Sequence, residues 1–193
     1  MAESQKSRGP RADARRNRQR LLATALKLFT SSKGEVTLSA VAAEAGVGIG
    51  TLYRHFPTRE ALVEAVYRSE VERLADAAPA LLEEMPADEA LEAWLTRYAG
   101  LIATKRGLMD VVRSIFEPGA EAPAYSRERM REAVTLLLDA AAKTGRVRGD
   151  LDPADVLLAV AASTWTVAGD SSWEARVRPV LRIIMDGLRY RPG

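Results

Sequence analysis

Wherever apolar residues recur in this chain they recur three or four positions apart, and no segment alternates apolar with polar. A helix repeats every 3.6 residues and a strand every two, so this spacing confines the 193-residue chain to an all-α fold. Leu21, Leu22, Ala25, Leu28 and Phe29 predict a first helix over 15–31, closed by Gly34. Thr37 is an N-cap before Leu38, Val41, Ala42 and Ala45, and Gly46 ends that second short helix. A third runs over 49–56 and stops at Pro57; Thr58 caps a fourth with a stripe from Leu62 to Leu74, reaching about Ala77.

The remainder follows the same rule. Asp88 caps a stripe of Leu91, Trp94, Leu95, Tyr98 and Ile102, and a further stripe covers Leu108 to Phe116. A loop over 117–123 precedes a helix marked by Met130, Val134, Leu137, Leu138 and Ala141. Asp152-Pro153 opens a helix to about Ala168 that is apolar nearly all round. Ser171 and Glu174 form a capping box before Val177 to Leu188, a pattern that Pro179 is expected to kink or delay. The total is about nine helices. Residues 1–14, with Gly9, Pro10 and no apolar period, read as a disordered basic tail.

Composition excludes several kinds of chemistry. The chain has no cysteine and one histidine, His55, which removes disulfides, thiol catalysis, cysteine-ligated zinc and paired-histidine sites. No cofactor, metal or catalytic residue is expected. The longest apolar run, Val156 to Ala162, is far below the ~20 residues of a membrane span, and the N-terminus lacks a signal-peptide pattern, so a cytoplasmic protein without membrane contact is expected. Charge is uneven. Residues 1–68 carry 12 Lys+Arg against 6 Asp+Glu, and residues 69–193 carry 16 against 20. A basic front and a mildly acidic back suggest that the front meets a polyanion.

The informative stretch is Thr37 to Phe56. A helix-turn-helix needs a small residue where its two helices touch, a glycine in the turn and an apolar anchor on the second helix. Ala42, Gly46 and Leu52 meet these demands, with Val41, Ala45 and Val47 in support. An ordinary helical hairpin would also use Gly46, Gly48 and Gly50 as breaks. The same glycines do not make a phosphate loop, because they follow a helix and lack the Lys-Ser/Thr that such a loop carries.

The stretch VTLSAVAAEAGVGIGTLYRHFPTREALVEAV resembles the DNA-binding region of the tetracycline-repressor (TetR) family of bacterial regulators. The match rests on Thr37, Val41-Ala42, Ala45-Gly46-Val47, Gly50 to Phe56 and Arg59 to Leu62, and covers roughly residues 15–66. The resemblance implies an N-terminal three-helix DNA-binding domain over 15–66. It also implies a helical effector-binding and dimerisation domain over 67–193. By the same resemblance the protein is a sequence-specific transcriptional regulator acting as a homodimer. It is expected to be a repressor released from a palindromic operator in double-stranded DNA by a small-molecule effector.

Residue roles follow from that likeness. Tyr53 and His55 are expected to meet the phosphate backbone, as are Thr37 and Arg59. Base reading falls to Ile49, Gly50, Thr51 and Arg54 with help from Ser39, since Arg is the usual partner of guanine and Thr or Ile can touch a thymine methyl. Many relatives carry Ser-Lys where this chain has Gly48-Ile49, and Gly48 instead allows close backbone approach. Leu52 and Phe56 are assigned to the core. Arg11, Arg15, Arg16 and Arg18 in the tail could reach along a groove.

In the C-terminal part, Trp94, Tyr98, Met109, Arg113, Phe116, Thr164 and Trp165 are the candidate lining of an effector cavity. Leu157, Val160, Ala161, Val177, Leu181, Ile184, Met185 and Leu188 are the candidate dimer interface, on the two most apolar helices. Two other functions fit an all-helical chain: an architectural DNA binder without an effector, and a small helical enzyme.

Overall fold

A computed structural model describes residues 10–31, 36–105, 121–165 and 172–189. Among these there are eight helices and no strand: α1 (Pro10–Ser31), α2 (Leu38–Glu44), α3 (Ile49–His55), α4 (Arg59–Glu84), α5 (Ala87–Lys105), α6 (Glu121–Lys143), α7 (Pro153–Trp165) and α8 (Trp173–Arg189). The stripe expected over Leu108 to Phe116 lies outside the described residues. Two compact units divide the chain, Met1–Val66 and Tyr67–Gly193.

The first unit is built on a small core. Leu21, Leu22, Ala25 and Phe29 of α1, Val41 and Ala42 of α2, and Leu52 of α3 are buried, together with Val36 and Phe56. Helix α1 packs on α2, and α2 on α3. The turn between α2 and α3 depends on Gly46, whose φ of +64° lies in the left-handed region. Gly46 N–H donates to the Ala43 carbonyl at 3.1 Å, and Val47 N–H to the Ala42 carbonyl at 3.0 Å. This pair of crossed bonds is a Schellman closure, which serves carbonyls that the end of a helix would otherwise leave unpaired. At the other end of α2, Thr37 Oγ1 accepts from Ala40 N–H at 3.2 Å.

Arginines tie the edges of this unit. Arg59 Nε donates to the Val36 carbonyl at 3.2 Å, and its guanidinium lies 5.7 Å from the Phe29 ring centroid. The Arg18 guanidinium lies 5.4 Å from the Phe56 ring centroid. Lys27 and Glu44 join α1 to α2 through an exposed pair at 3.0 Å.

The second unit is a helical bundle around α5, which packs against α6, α7 and α8. Its core holds Leu74 and Leu81 of α4, Leu91, Trp94 and Leu95 of α5, Val134 and Leu137 of α6, and Val160, Leu181 and Met185 of the last two helices. The Trp94 indole N–H donates to the Leu74 carbonyl at 2.8 Å, so the largest buried side chain leaves no polar atom unpaired. Helix α4 is tied to α6 by polar contacts as well. Arg68 stacks on the Tyr125 ring at 4.4 Å and bonds Glu72, and Arg129 pairs with Asp76 at 3.0 Å.

Several boundaries differ from those the sequence predicts. Helix α1 begins at Pro10, so residues 10–14 are helical rather than tail, and Arg15, Arg16 and Arg18 are helix residues. Proline is at home in a first helical turn, and Asp13 there pairs with Arg16. Helix α4 runs past Ala77 to Glu84 with Pro79 inside it. Pro79 is exposed, while Ala78 and Leu81 continue the buried stripe, so burial outweighs one lost hydrogen bond. Helix α6 starts at Glu121, within the expected loop, and takes Pro123 in its first turn. Pro179, also exposed, leaves α8 continuous from Trp173. Asp88 sits inside the first turn of α5 rather than capping it. It is buried between Arg146 and Arg189, each 3.5 Å away.

Three variants test this account of the first unit. A Cβ on Gly46 meets nothing within 4 Å, so Gly46→Ala should cost only the left-handed backbone penalty, about 1–2 kcal/mol in urea unfolding. Gly48→Ala, at φ −65°, should be neutral or stabilising in the same assay. Arg59→Ala should lower stability by about 1–2 kcal/mol through loss of a carbonyl hydrogen bond and a cation–ring contact.

Candidate nucleic-acid interface

The two faces of α3 differ in character. Leu52 is 0% and Phe56 2% exposed, and these two anchors fix the helix against the first unit's core. The opposite face turns Ile49, Gly50, Tyr53 and Arg54 to solvent, at positions that follow one another around a single side of a helix. Ile49 and Tyr53 are among the exposed large apolar residues of the described chain. An isoleucine and a tyrosine held in water beside an arginine make a contact surface, because burial in their own unit would have been favourable.

The expected DNA-contacting residues are brought together in this region. Thr37 and Ser39 are exposed at the start of α2 with their hydroxyl oxygens 3.0 Å apart. Gly48 is exposed and caps α3 through its backbone alone. Thr51 and His55 are half-buried, and the His55 ring centroid lies 6.1 Å from that of Phe56. Arg54 folds back along α3, with Nε donating to the Gly50 carbonyl at 3.2 Å. Arg59 is half-buried and committed through Nε to Val36, which leaves its terminal guanidinium nitrogens for another acceptor. The Arg18–Phe56 and Arg59–Val36 contacts give no sequence signal, because each joins residues far apart in the chain.

The candidate effector residues do not assemble as a set. Trp94 is core, Thr164 is buried with its hydroxyl donating to the Val160 carbonyl, and Trp165 is exposed. Met109, Arg113 and Phe116 lie outside the described residues. Tyr98 alone of the described candidates lines a cleft, one of about 560 Å³ in the second unit. The other walls are Tyr67 and Leu101, residues of α6 from Ala124 to Arg131, and Ala154, Leu157, Leu158 and Ala161 of α7. The sequence pattern had not marked Ser126 or Met130 as lining, since both fall on a buried helix face.

The candidate dimer residues require a correction. Val160, Val177, Leu181, Met185 and Leu188 are buried in the core of their own bundle, Val177 and Leu181 also at the floor of a groove beside Trp173 and Arg178. Leu157, Ala161 and Ile184 are half-buried. The exposed apolar residues of the same two helices are others: Leu158 at 65%, Trp165 at 45% and Ile183 at 70%. Helical periodicity reveals an apolar stripe without saying whether the neighbour it packs on belongs to the same chain.

Comparison with known proteins agrees with this arrangement. Residues 21–66 match the family model of bacterial regulatory proteins of the tetR family. Residues 86–190 match that of the C-terminal domain of SbtR-like transcriptional regulators. The crystal structure of a TetR transcriptional regulator from Streptomyces coelicolor is 40% identical, with a TM-score of 0.80 over 91% of this chain and 99% of that one. That of a TetR regulatory protein from Mycobacterium vanbaalenii is 34% identical, with a TM-score of 0.76 over 94% and 100%. An HTH-type transcriptional regulator of Staphylococcus aureus is 40% identical over 63 residues, 32% of this chain, and the chain spans about a third of that relative's length. These matches join the helix-turn-helix unit and the helical bundle in one architecture, that of DNA-binding transcriptional regulators. The chain belongs to the TetR family of bacterial transcriptional regulators.

Proposed function

We propose that the protein is a cytoplasmic homodimeric repressor that binds a palindromic operator and is released by a small-molecule effector. The observation that carries the operator reading is the divided helix α3, pinned by Leu52 and Phe56 and open along Ile49, Gly50, Tyr53 and Arg54. In this reading Ile49, Gly50, Thr51 and Arg54 meet base edges with Ser39 beside them, and Gly48 lets the backbone approach. Thr37, Tyr53, His55 and Arg59 meet phosphates. Arg54 engages only Nε with the Gly50 carbonyl, which leaves its terminal guanidinium nitrogens for a guanine.

A second copy of the chain is the partner proposed for Leu158, Ala162 and Trp165 of α7 and Val180, Ile183 and Gly187 of α8. These positions recur at three- and four-residue spacing, they are exposed or half-buried, and α7 packs directly on α8. Two such pairs form a four-helix contact with two-fold symmetry. A two-fold dimer suits a palindrome whose half-sites lie one helical turn apart, ~34–36 Å. Effector binding in the second unit would lower operator affinity by favouring a conformation that does not bind DNA, a coupling of typically 1–3 kcal/mol.

Operator binding measured against salt and against single-base variants tests the DNA assignment. Tyr53→Phe should weaken binding to all sequences alike. Arg54→Ala should cost roughly 1–3 kcal/mol and relax preference at one position of each half-site; a uniform loss would make Arg54 a backbone contact. An architectural binder would show almost no preference over random DNA. Light scattering tests the assembly: the wild type should weigh twice the 21.0 kDa chain, and Ile183→Glu should weigh one chain and lose the operator.

A further inference from the structure

The 560 Å³ cleft of the second unit has a size suited to a small molecule. Its walls are largely apolar: Leu101, Met130, Leu157 and Ala161, with the rings of Tyr67 and Tyr98. Two hydroxyls break that surface. Ser126 is 2% exposed and its Oγ has no hydrogen-bond partner, although a helical serine can turn back to the carbonyl four residues before it. The second hydroxyl is that of Tyr98, whose ring is held by stacking on Trp94, centroids 5.7 Å apart and planes 11° from parallel. A buried polar group left without a partner destabilises the fold that contains it, and such groups in native proteins commonly meet a ligand or water.

The charged side chains on the cleft, two arginines and one glutamate, leave a net charge of +1, and all three are exposed. Arg131 and Glu128 bond each other twice, at 3.0 and 2.5 Å, and Arg127 is exposed at the rim. Burial, with Tyr67 adding to it, pushes the Tyr98 phenol up to about 12. The surroundings that disfavour a phenolate there disfavour any other anion at the same depth, so Tyr98 remains a neutral hydrogen-bond donor.

We propose that this cleft binds an uncharged, largely apolar molecule carrying one hydrogen-bond-accepting oxygen, such as a ring-bearing ketone, with the Tyr98 and Ser126 hydroxyls as its polar contacts. The proposal rests on the effector reading above, whose ligand class it supplies. The Ser126 hydroxyl reaches a ligand by rotation about one bond. Tyr98 needs no rearrangement, because its stacked ring already stands in the cleft wall.

Binding of 2-acetylnaphthalene, 2-ethylnaphthalene and 2-naphthoate to the full-length protein without DNA provides the test, followed by tryptophan fluorescence and calorimetry. The ketone should bind roughly tenfold tighter than the hydrocarbon, the difference one hydrogen bond makes, and tighter than the carboxylate. Tyr98→Phe should weaken the ketone several-fold and leave the hydrocarbon unchanged, narrowing the ratio between the two. Ser126→Ala should weaken the ketone while leaving the melting temperature equal or higher, the sign opposite to that of a structural serine. Absence of binding, carboxylate binding tightest, or an unchanged ketone-to-hydrocarbon ratio in both variants would overturn the proposal. Saturating ketone that leaves operator affinity intact would instead overturn the release mechanism and leave the ligand class standing.

Discussion

A seven-residue helix has almost no stability of its own in water, because nucleation costs more than so few hydrogen bonds return. Helix α3 is such a helix, and it exists through the burial of Leu52 and Phe56. Each removes apolar surface from water, and truncating a side chain of that kind in a core costs about 2–5 kcal/mol. Every exposed group on α3 inherits its position from those two contacts. The turn before it supplies the direction: Gly46 takes the left-handed conformation, and the Schellman closure ends α2 where α3 must begin. The contact surface is thus as rigid as a core it does not itself belong to.

The local grammar of the first unit was legible in the sequence. Thr37 as a cap, Gly46 as the turn, Pro57 as a stop and Leu52 and Phe56 as anchors are short-range signals, each with one physical meaning at its position. What the sequence hid were contacts between residues distant in the chain. Arg59 reads as a cation at a helix start, yet it spends one donor on the Val36 carbonyl and lies against Phe29. Arg18 reads as a cation free to reach along a groove, yet it stands over Phe56. Proline misled in the other direction. Pro79, Pro123 and Pro179 all lie inside helices: Pro123 in a first turn, where no hydrogen bond is lost, and Pro79 and Pro179 on exposed faces beside stripes whose burial outweighs the lost bond.

The candidate sites of the second unit were less legible, for a reason that periodicity cannot remove. A stripe such as Val177, Leu181, Met185 and Leu188 says that one side of a helix is covered, and the cover here is its own bundle. Ile183 interrupts no stripe and drew no notice, though it is the most exposed large apolar side chain among the described residues. The cleft was hidden for a related reason. Aromatic side chains suggested it, but Trp94 gives its indole N–H to a backbone carbonyl and fills the core, whereas Ser126 marks the cavity by what it fails to bond.

Helices α7 and α8 therefore serve two boundaries at once. Their inner faces close the bundle around Val160, Leu181 and Met185, and their outer faces carry Leu158, Trp165 and Ile183 in water. Anything that covers the outer face binds the folded bundle and not the unfolded chain. Its free energy then adds to that of folding by mass action. If the cover is the second copy proposed above, the melting temperature rises with protein concentration and is not a fixed property of the chain.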